Sequence, residues 1–187
     1  MIIIVEGQNG TGKTTFAKEA ANKLGLEYTK TQRVWKGTDG QFIAMGIPDG
    51  TELYLGLVKD SLLDDTVQDR FHLSEYVYSR LRPEGRPAMP GIGLVAVEEM
   101  IRDKKLKAVV VLVQAPKKFV ESAHDNRGED FVGKKDIPQE RQLFEDAFQT
   151  STLPKFRYDP TWSREDKTAL WNALEEIQNT EEAKSCE

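Results

Sequence analysis

The chain has 187 residues, 39% of them hydrophobic and 30% charged, enough for one domain with a real core and too few for two comfortable ones. Its net charge of −5 and pI of about 5.3 argue against a non-specific grip on nucleic acid, which needs basic surface to release counterions; a small anion in a local basic pocket stays open. No apolar run approaches a membrane span, the opening "IIIV" is too short for a signal-peptide core, and the single Cys186 offers neither a disulfide nor a metal cluster, so a cytoplasmic protein without a membrane partner is expected.

"MIIIVEG" reads as a buried strand running into a glycine turn. A helix is predicted over 13–24, with Phe16, Ala20 and Leu24 at i, i+4 and i+8 and Gly25 as its stop. "LEYTKT" suits a polar strand. From Arg33 to Pro48 there is no clear period, and irregular chain is expected. Residues 51–63 read as a helix. "DTVQD" is a candidate short strand although Val67 is its only apolar residue, and 71–82 a helix with Leu73, Val77 and Leu81 on one face. "RPEGRPAMPG" predicts a stiff loop. A helix apolar on most sides is expected over 91–104. "AVVVLV", 108–113, is the plainest strand, and such a β-branched run suits a sheet covered on both faces. Pro116 opens a helix to about His124, which "DNRGED" breaks. Pro138 opens another, with Leu143, Phe144, Ala147 and Phe148 inward. "KFRYD" is a candidate last strand, and Ser163 with Asp166 resembles a capping box before a helix carrying Leu170, Leu174 and Ile177. Residues 180–187 are expected to fray. The alternation implies an α/β fold in one domain, 1–187: a parallel sheet wrapped on both sides, with ligands at the carboxyl ends of its strands.

Gly7, Gly12, Lys13 and Thr14 satisfy G-x-x-x-x-G-K-[ST]. The spacing has a chemical reason. Backbone N–H groups must turn inward toward an anion, which needs conformations that glycine tolerates. The following helix aims its N-terminal N–H groups at the phosphates. Lys13 would reach the β/γ-phosphates, and Thr14 would offer its hydroxyl to Mg²⁺. Asn9, Gly10, Thr11 and Thr15 complete the candidate nucleotide-binding stretch. Its place between a strand and a helix favours a phosphate cradle over a glycine-rich turn with a surface lysine.

No N/T-K-x-D base reader is present, which excludes a guanine switch. The strand 108–113 runs on to Gln114, where motor-type ATPases carry a metal-binding Asp, so that carboxylate must come from elsewhere. "QDRFHLSEYVY" is the best source. Asp69 and Arg70 stand where a short strand meets a helix, and Ser74 and Tyr78 follow Arg70 at i+4 and i+8 on one stripe. That stripe suits a phosphorylated, aromatic-bearing ligand; the plainer alternative is an exposed polar face.

These residues carry a resemblance. "EGQNGTGKTT" is similar to the E-G-x-D-G-x-G-K-[ST]-T start of thymidylate kinases, and "DRFHLSEYVY" resembles their D-R-[YF]-x-x-S-x-x-[AV]-Y motif at Asp69, Arg70, Phe71, Ser74, Val77 and Tyr78. "NRGEDF" resembles the region of their mobile lid, expected here over 115–136. Deoxynucleoside kinases share the architecture, so the likeness is to the combined superfamily, in the manner of a phage-type deoxynucleoside monophosphate kinase. It implies a three-layer P-loop fold with a five-stranded parallel sheet, ATP and Mg²⁺, and transfer of the γ-phosphoryl group to a nucleotide 5′-phosphate. Carried over, Lys13 holds ATP phosphates, Thr14 holds the metal, Asp69 assists the metal or the attacking oxygen, Arg70 grips the acceptor phosphate, and Arg127 stabilises the transferred group. Family members commonly pair as homodimers. Two departures fall on the acceptor half: Asn9 replaces the loop aspartate, and "TKTQRVW" replaces the usual R-E-P, leaving Lys30 or Arg33 to supply the charge. Arg82 and Arg86 lie near the acceptor side, and Tyr54, with Glu52 on the same helix, could stack on a pyrimidine or belong to the core.

The leading expectation is thus phosphoryl transfer to dTMP or a 5-modified pyrimidine deoxynucleotide. The nearest rival is a deoxynucleoside 5′-kinase using a base such as Glu27. A non-catalytic nucleotide-binding protein and a kinase acting on bases in DNA are the others. His72 reads as structural, His124 as an exposed lid residue, Lys117, Lys118, Lys134 and Lys135 as solvated charge, and Trp35, Trp162 and Trp171 as packing. Glu6 is open between the loop and the metal shell.

Overall fold

Ile2–Glu6 (β1) is buried along its whole length because it stands at the centre of a parallel sheet. This computed structural model describes residues 1–30, 34–36, 42–44, 50–59, 65–81, 89–127 and 132–180. Outside them lie Arg33, Arg82, Arg86, the "GEDF" portion of the expected lid, Cys186 and the chain end, as do the side chains of Trp35 and Arg127.

In chain order the strands are β1, Glu27–Lys30 (β2), Val34–Lys36 (β3), Phe42–Ala44 (β4), Thr66–Asp69 (β5), Ala108–Val113 (β6) and Lys155–Tyr158 (β7). Five of them form the sheet, in the order β2-β5-β1-β6-β7, with every pairing parallel. The helices are Lys13–Leu24 (α1), Gly50–Lys59 (α2), His72–Leu81 (α3), Gly91–Asp103 (α4), Lys117–Arg127 (α5), Ile137–Thr150 (α6) and Arg164–Asn179 (α7), with a 3-10 turn at Lys134–Asp136.

Alternation along β1 and β6 divides the core. Ile2, Ile4, Val110 and Leu112 face α2, α3, α4 and α6, packing with Leu73, Val77, Leu94 and Phe144. Ile3, Val5, Val109 and Val111 face α1 and α7, where Phe16 stacks on Trp171 with ring centroids 5.0 Å apart. Each such buried side chain contributes roughly 1.5–3 kcal/mol. The expected three-layer α/β architecture is therefore the one observed. Among the described residues no helix is long and apolar enough to cross a membrane.

Four segments differ from the sequence expectation. Residues 34–36 and 42–44 pair as a short antiparallel hairpin rather than irregular chain; three residues a side are too few to show a period. Helix α4 buries one stripe, Gly93, Leu94, Val97, Glu98 and Ile101, and leaves Ile92 78% exposed, so it is not apolar on most sides. Helix α5 runs a turn beyond His124 to Arg127. Ser163 caps α7 by accepting from the Asp166 N–H, but its hydroxyl donates to the Asp166 carboxylate at 2.8 Å, so only one arm of the capping box forms.

Candidate active site

The loop after β1 is shaped by close approach. Gly7 has φ +137°, and a Cβ there would sit 2.2 Å from the Val113 carbonyl oxygen of β6. Gly10 and Gly12 also take positive φ, +81° and +88°, and Gly12 stands at the N-cap of α1 with nothing in the space its Cβ would fill. Backbone of this kind, ahead of a helix N-terminus, is what an anion cradle requires. Thr11 closes the loop by donating from its hydroxyl to the Gln8 carbonyl at 3.0 Å, and Gln8 Nε2 donates to the Ile137 carbonyl at 2.7 Å, tying the loop to α6. Thr15 lies exposed on the first turn of α1.

Lys13 folds back over the loop and donates from Nζ to the Gln8 carbonyl. Burial, and then the Arg70 guanidinium, push its amine well below the usual lysine range, against the pull of Glu140, Asp69 and Glu6. Thr14 Oγ1 donates to Asp69 Oδ2 at 2.6 Å, and the Tyr28 hydroxyl donates to the same oxygen at 3.0 Å. Desolvation, then Asp69, push the Tyr28 phenol up to about 12. A hydroxyl and a carboxylate converging beside a phosphate-type loop form the oxygen donor set that suits Mg²⁺, so Thr14 and Asp69 fit that ion.

Arg70 follows Asp69 at the carboxyl end of β5, with φ +75°. Its amide donates to the Val5 carbonyl at 3.0 Å, which holds the strained junction against β1. The half-buried guanidinium bridges three partners: Asn9 Oδ1 at 2.5 Å, Ser74 Oγ at 3.1 Å and the Gly7 carbonyl at 3.4 Å. It also lies over the Tyr78 ring, 5.0 Å from the centroid. Desolvation lowers its pKa, but the neighbouring Tyr78, Glu6, Glu140 and Asp69 outweigh that and raise it.

Ser74 and Tyr78 are 5% and 8% exposed, so the stripe is not an exposed polar face. Glu6 ends β1 fully buried and closes the start of α3: it accepts from the Phe71 N–H at 2.8 Å, the Ser74 N–H at 3.1 Å and the Ser74 hydroxyl at 2.5 Å. Two other sequence candidates stand apart from these contacts. Lys30 pairs with Asp69 in the β2–β5 register, its side chain exposed. Tyr54 is 3% exposed and packs edge-on to Phe71 at 4.7 Å, within the core.

Three participants escape sequence reasoning. Glu140 of α6 is fully buried and accepts through Oε1 from the Tyr78 hydroxyl at 2.7 Å and the Asn9 N–H at 3.1 Å; its Oε2 is buried with no hydrogen-bond partner among the described residues. The available signal is a carboxylate on the helix face that also carries Ile137, Phe144 and Ala147. Tyr28 meets Asp69 by a cross-strand diagonal that needs the strand order to be known. His124, expected to be exposed, is 6% exposed, and its Cδ2 comes within 3.7 Å of where a Gly10 Cβ would lie. Around it, Lys117 pairs with Glu121 at 3.5 Å and Lys134 with Asp125. His72, read as structural, is buried against Glu98 at 3.0 Å. Gln114 joins Arg157 and Glu145 at the ends of β6 and β7, the arginine and glutamate forming a two-pronged pair at 2.6 and 2.9 Å.

No protein-family model and no curated protein matches the chain. Solved structures do. The chain is similar to YorR protein from Bacillus subtilis, in complex with phosphorylated GDP, at 21% identity and a TM-score of 0.71, covering 96% of this chain and 98% of that one. It is similar to deoxyadenosine kinase from M. mycoides with bound dCTP, at 17% identity and a TM-score of 0.58, covering 94% and 99%. The same kinase with bound dATP gives 16% identity and a TM-score of 0.57, covering 94% and 100%. At these identities the likeness is one of fold, the P-loop kinase-like arrangement of helices on a five-stranded parallel sheet.

Proposed function

We propose that this chain transfers the γ-phosphoryl group of ATP to a deoxynucleoside monophosphate, dTMP or a 5-modified pyrimidine analogue. The observation that carries the reading is the meeting of Arg70 with the phosphate loop. A guanidinium anchored on Asn9, Gly7 and Ser74 stands beside Lys13, Thr14 and Asp69, so cationic groups serve two anionic ligands from one edge of the sheet. The likeness to a protein in complex with phosphorylated GDP and to deoxyadenosine kinases supports the nucleotide class.

In this reading the loop 7–14 and Lys13 hold the donor phosphates. Thr14 and Asp69 would hold Mg²⁺, which when bound neutralises charge on those phosphates. Arg70 orients the acceptor, whose 5′-phosphate oxygen attacks the γ-phosphorus while the bond to the β,γ-bridging oxygen breaks, yielding ADP and a nucleoside diphosphate. Tyr78 and Ser74 line the acceptor side. Glu140 Oε2 is an acceptor for a ligand hydroxyl or N–H. Arg127 would close over the transferred group from the lid, which excludes water.

The rival, a nucleoside 5′-kinase, needs a base near the acceptor hydroxyl. Glu27 opens β2 rather than closing it, three residues or roughly 10 Å short of the carboxyl edge. The test is a transfer assay with ATP·Mg²⁺ on a panel of deoxynucleosides and their monophosphates, 5-substituted pyrimidines included, with Lys13→Ala as the blank. Diphosphate formed from one monophosphate supports the reading. Reaction of nucleosides alone moves the assignment to the rival, and ATP binding with no transfer moves it to a binding protein.

A further inference from the structure

His124 lies on α5, at the seam between that helix and the phosphate loop. The seam is tight: a Cβ on Gly10 would come within 3.0 Å of Ala123 Cβ, 3.4 Å of the Val120 carbonyl oxygen and 3.7 Å of His124 Cδ2. The ring therefore turns its Cδ2 edge to the loop tip, and Nε2 is the next atom on that edge. The side chain is 6% exposed, and Nε2 is buried without a hydrogen-bond partner among the described residues.

A buried polar atom left unpaired is unfavourable, and native structures leave few of them without a reason. An apolar side chain would fill this place at no such cost. An imidazole ring nitrogen can carry an N–H donor, and phosphate oxygens are acceptors. A donor set against the tip of an anion cradle is matched by an anion in that cradle.

We propose that His124 Nε2 is a phosphate ligand, donating from α5 to a phosphate oxygen of the nucleotide seated in the loop 7–14. The inference rests on the nucleotide-binding reading above. It makes α5 part of the site rather than a cover over it: nucleotide in the loop pulls on the first helix of the lid segment through one hydrogen bond.

The test uses ATP·Mg²⁺ with the full chain. Two-dimensional ¹H–¹⁵N spectra of the imidazoles report His72 and His124 separately, the assignment coming from His124→Gln. On addition of ATP·Mg²⁺ the His124 Nε2 resonance should move and that of His72 stay. His124→Leu should weaken ATP binding about tenfold, as expected for a hydrogen bond to a charged group. His124→Gln, which keeps a donor near the Nε2 position, should recover most of the loss. The nucleotide-free Tm of His124→Leu should equal or exceed that of the wild type, because the unpaired atom is gone. If the wild type binds ATP while Nε2 is unmoved, or if His124→Leu binds as the wild type does, the inference fails and the kinase reading stands. A loss of affinity that tracks a loss of Tm also overturns it, in favour of a packing role. If the wild type binds no ATP, the reading beneath it fails first.

Discussion

The Thr14 hydroxyl donates to Asp69 Oδ2 at 2.6 Å, across 55 residues of chain. The contact joins the first turn of α1 to the carboxyl end of β5, so the phosphate loop and the Asp-Arg junction are one unit. Asp69→Asn keeps the shape and, with its amide oxygen in the Oδ2 place, can keep both hydroxyl contacts, but it removes the charge. Transfer should fall about a hundredfold or more, in line with the several kcal/mol that a metal clamp supplies. Initial rates over a Mg²⁺ series check this. A change within threefold at every concentration would take Asp69 out of the metal site.

Arg70 reaches Asn9, Ser74 and the Gly7 carbonyl because a guanidinium is a planar fork. A lysine ammonium is a point charge and cannot hold the same three directions. Arg70→Lys should therefore raise the KM for the monophosphate about tenfold or more, the scale of one charge-assisted hydrogen bond, and change the KM for ATP much less. Steady-state kinetics with each substrate varied in turn separates the two. Equal rises would mean that Arg70 supports the loop and does not grip the acceptor.

Gly7 and Gly12 both have positive φ but differ in surroundings. An alanine at 12 meets only backbone strain, about 1–2 kcal/mol, because its Cβ enters open space. An alanine at 7 adds a collision with the Val113 carbonyl oxygen at 2.2 Å, and backbone there cannot yield as a flexible side chain would. Gly7→Ala should cost more than about 3 kcal/mol, among the large values that overpacking and strain produce. Urea unfolding of the two variants gives the comparison. Equal losses would show that β6 can retreat from the loop.

Much of this molecule is legible in one dimension. β1 and β6 announce themselves by β-branched runs, the fixed glycines and Lys13 by their spacing, Asp69 and Arg70 by their place between a strand and a helix, and Ser74 and Tyr78 by the helical period that sets them one turn apart on α3. What escapes is contact between segments. Glu140 belongs to α6 yet receives Tyr78 and the loop amide of Asn9, a meeting set by packing. Tyr28 reaches Asp69 only because β2 lies beside β5, which no local pattern states. His124 reads as solvent-facing because its neighbours Asp125 and Asn126 are polar and exposed; the helix turns it inward onto Gly10. β5 is an interior strand despite carrying one apolar residue, because Gln68 satisfies itself on Thr66 and Asp69 on Thr14 and Tyr28.

Glu98 of α4 is fully buried; it takes His72 Nε2 at 3.0 Å on Oε1, and the Thr152 N–H at 2.6 Å and hydroxyl at 2.7 Å on Oε2. Burial raises its carboxyl, but the His72 hydrogen bond and charge and the Thr152 N–H outweigh that and bring it down to about 2. A carboxyl whose pKa is lower folded than unfolded stabilises the fold above its unfolded value and loses that contribution as pH falls through the folded one. The drop from 4.5 to about 2 is worth about 3 kcal/mol. Glu98→Gln should therefore be less stable than the wild type by about that amount near pH 6. The gap should hold down to about pH 4.5 and close by about pH 2. Unfolding free energies of both proteins across this range test it. A gap that stays constant to pH 2 would show that packing around residue 98, and not its charge, links α4 to the start of α3.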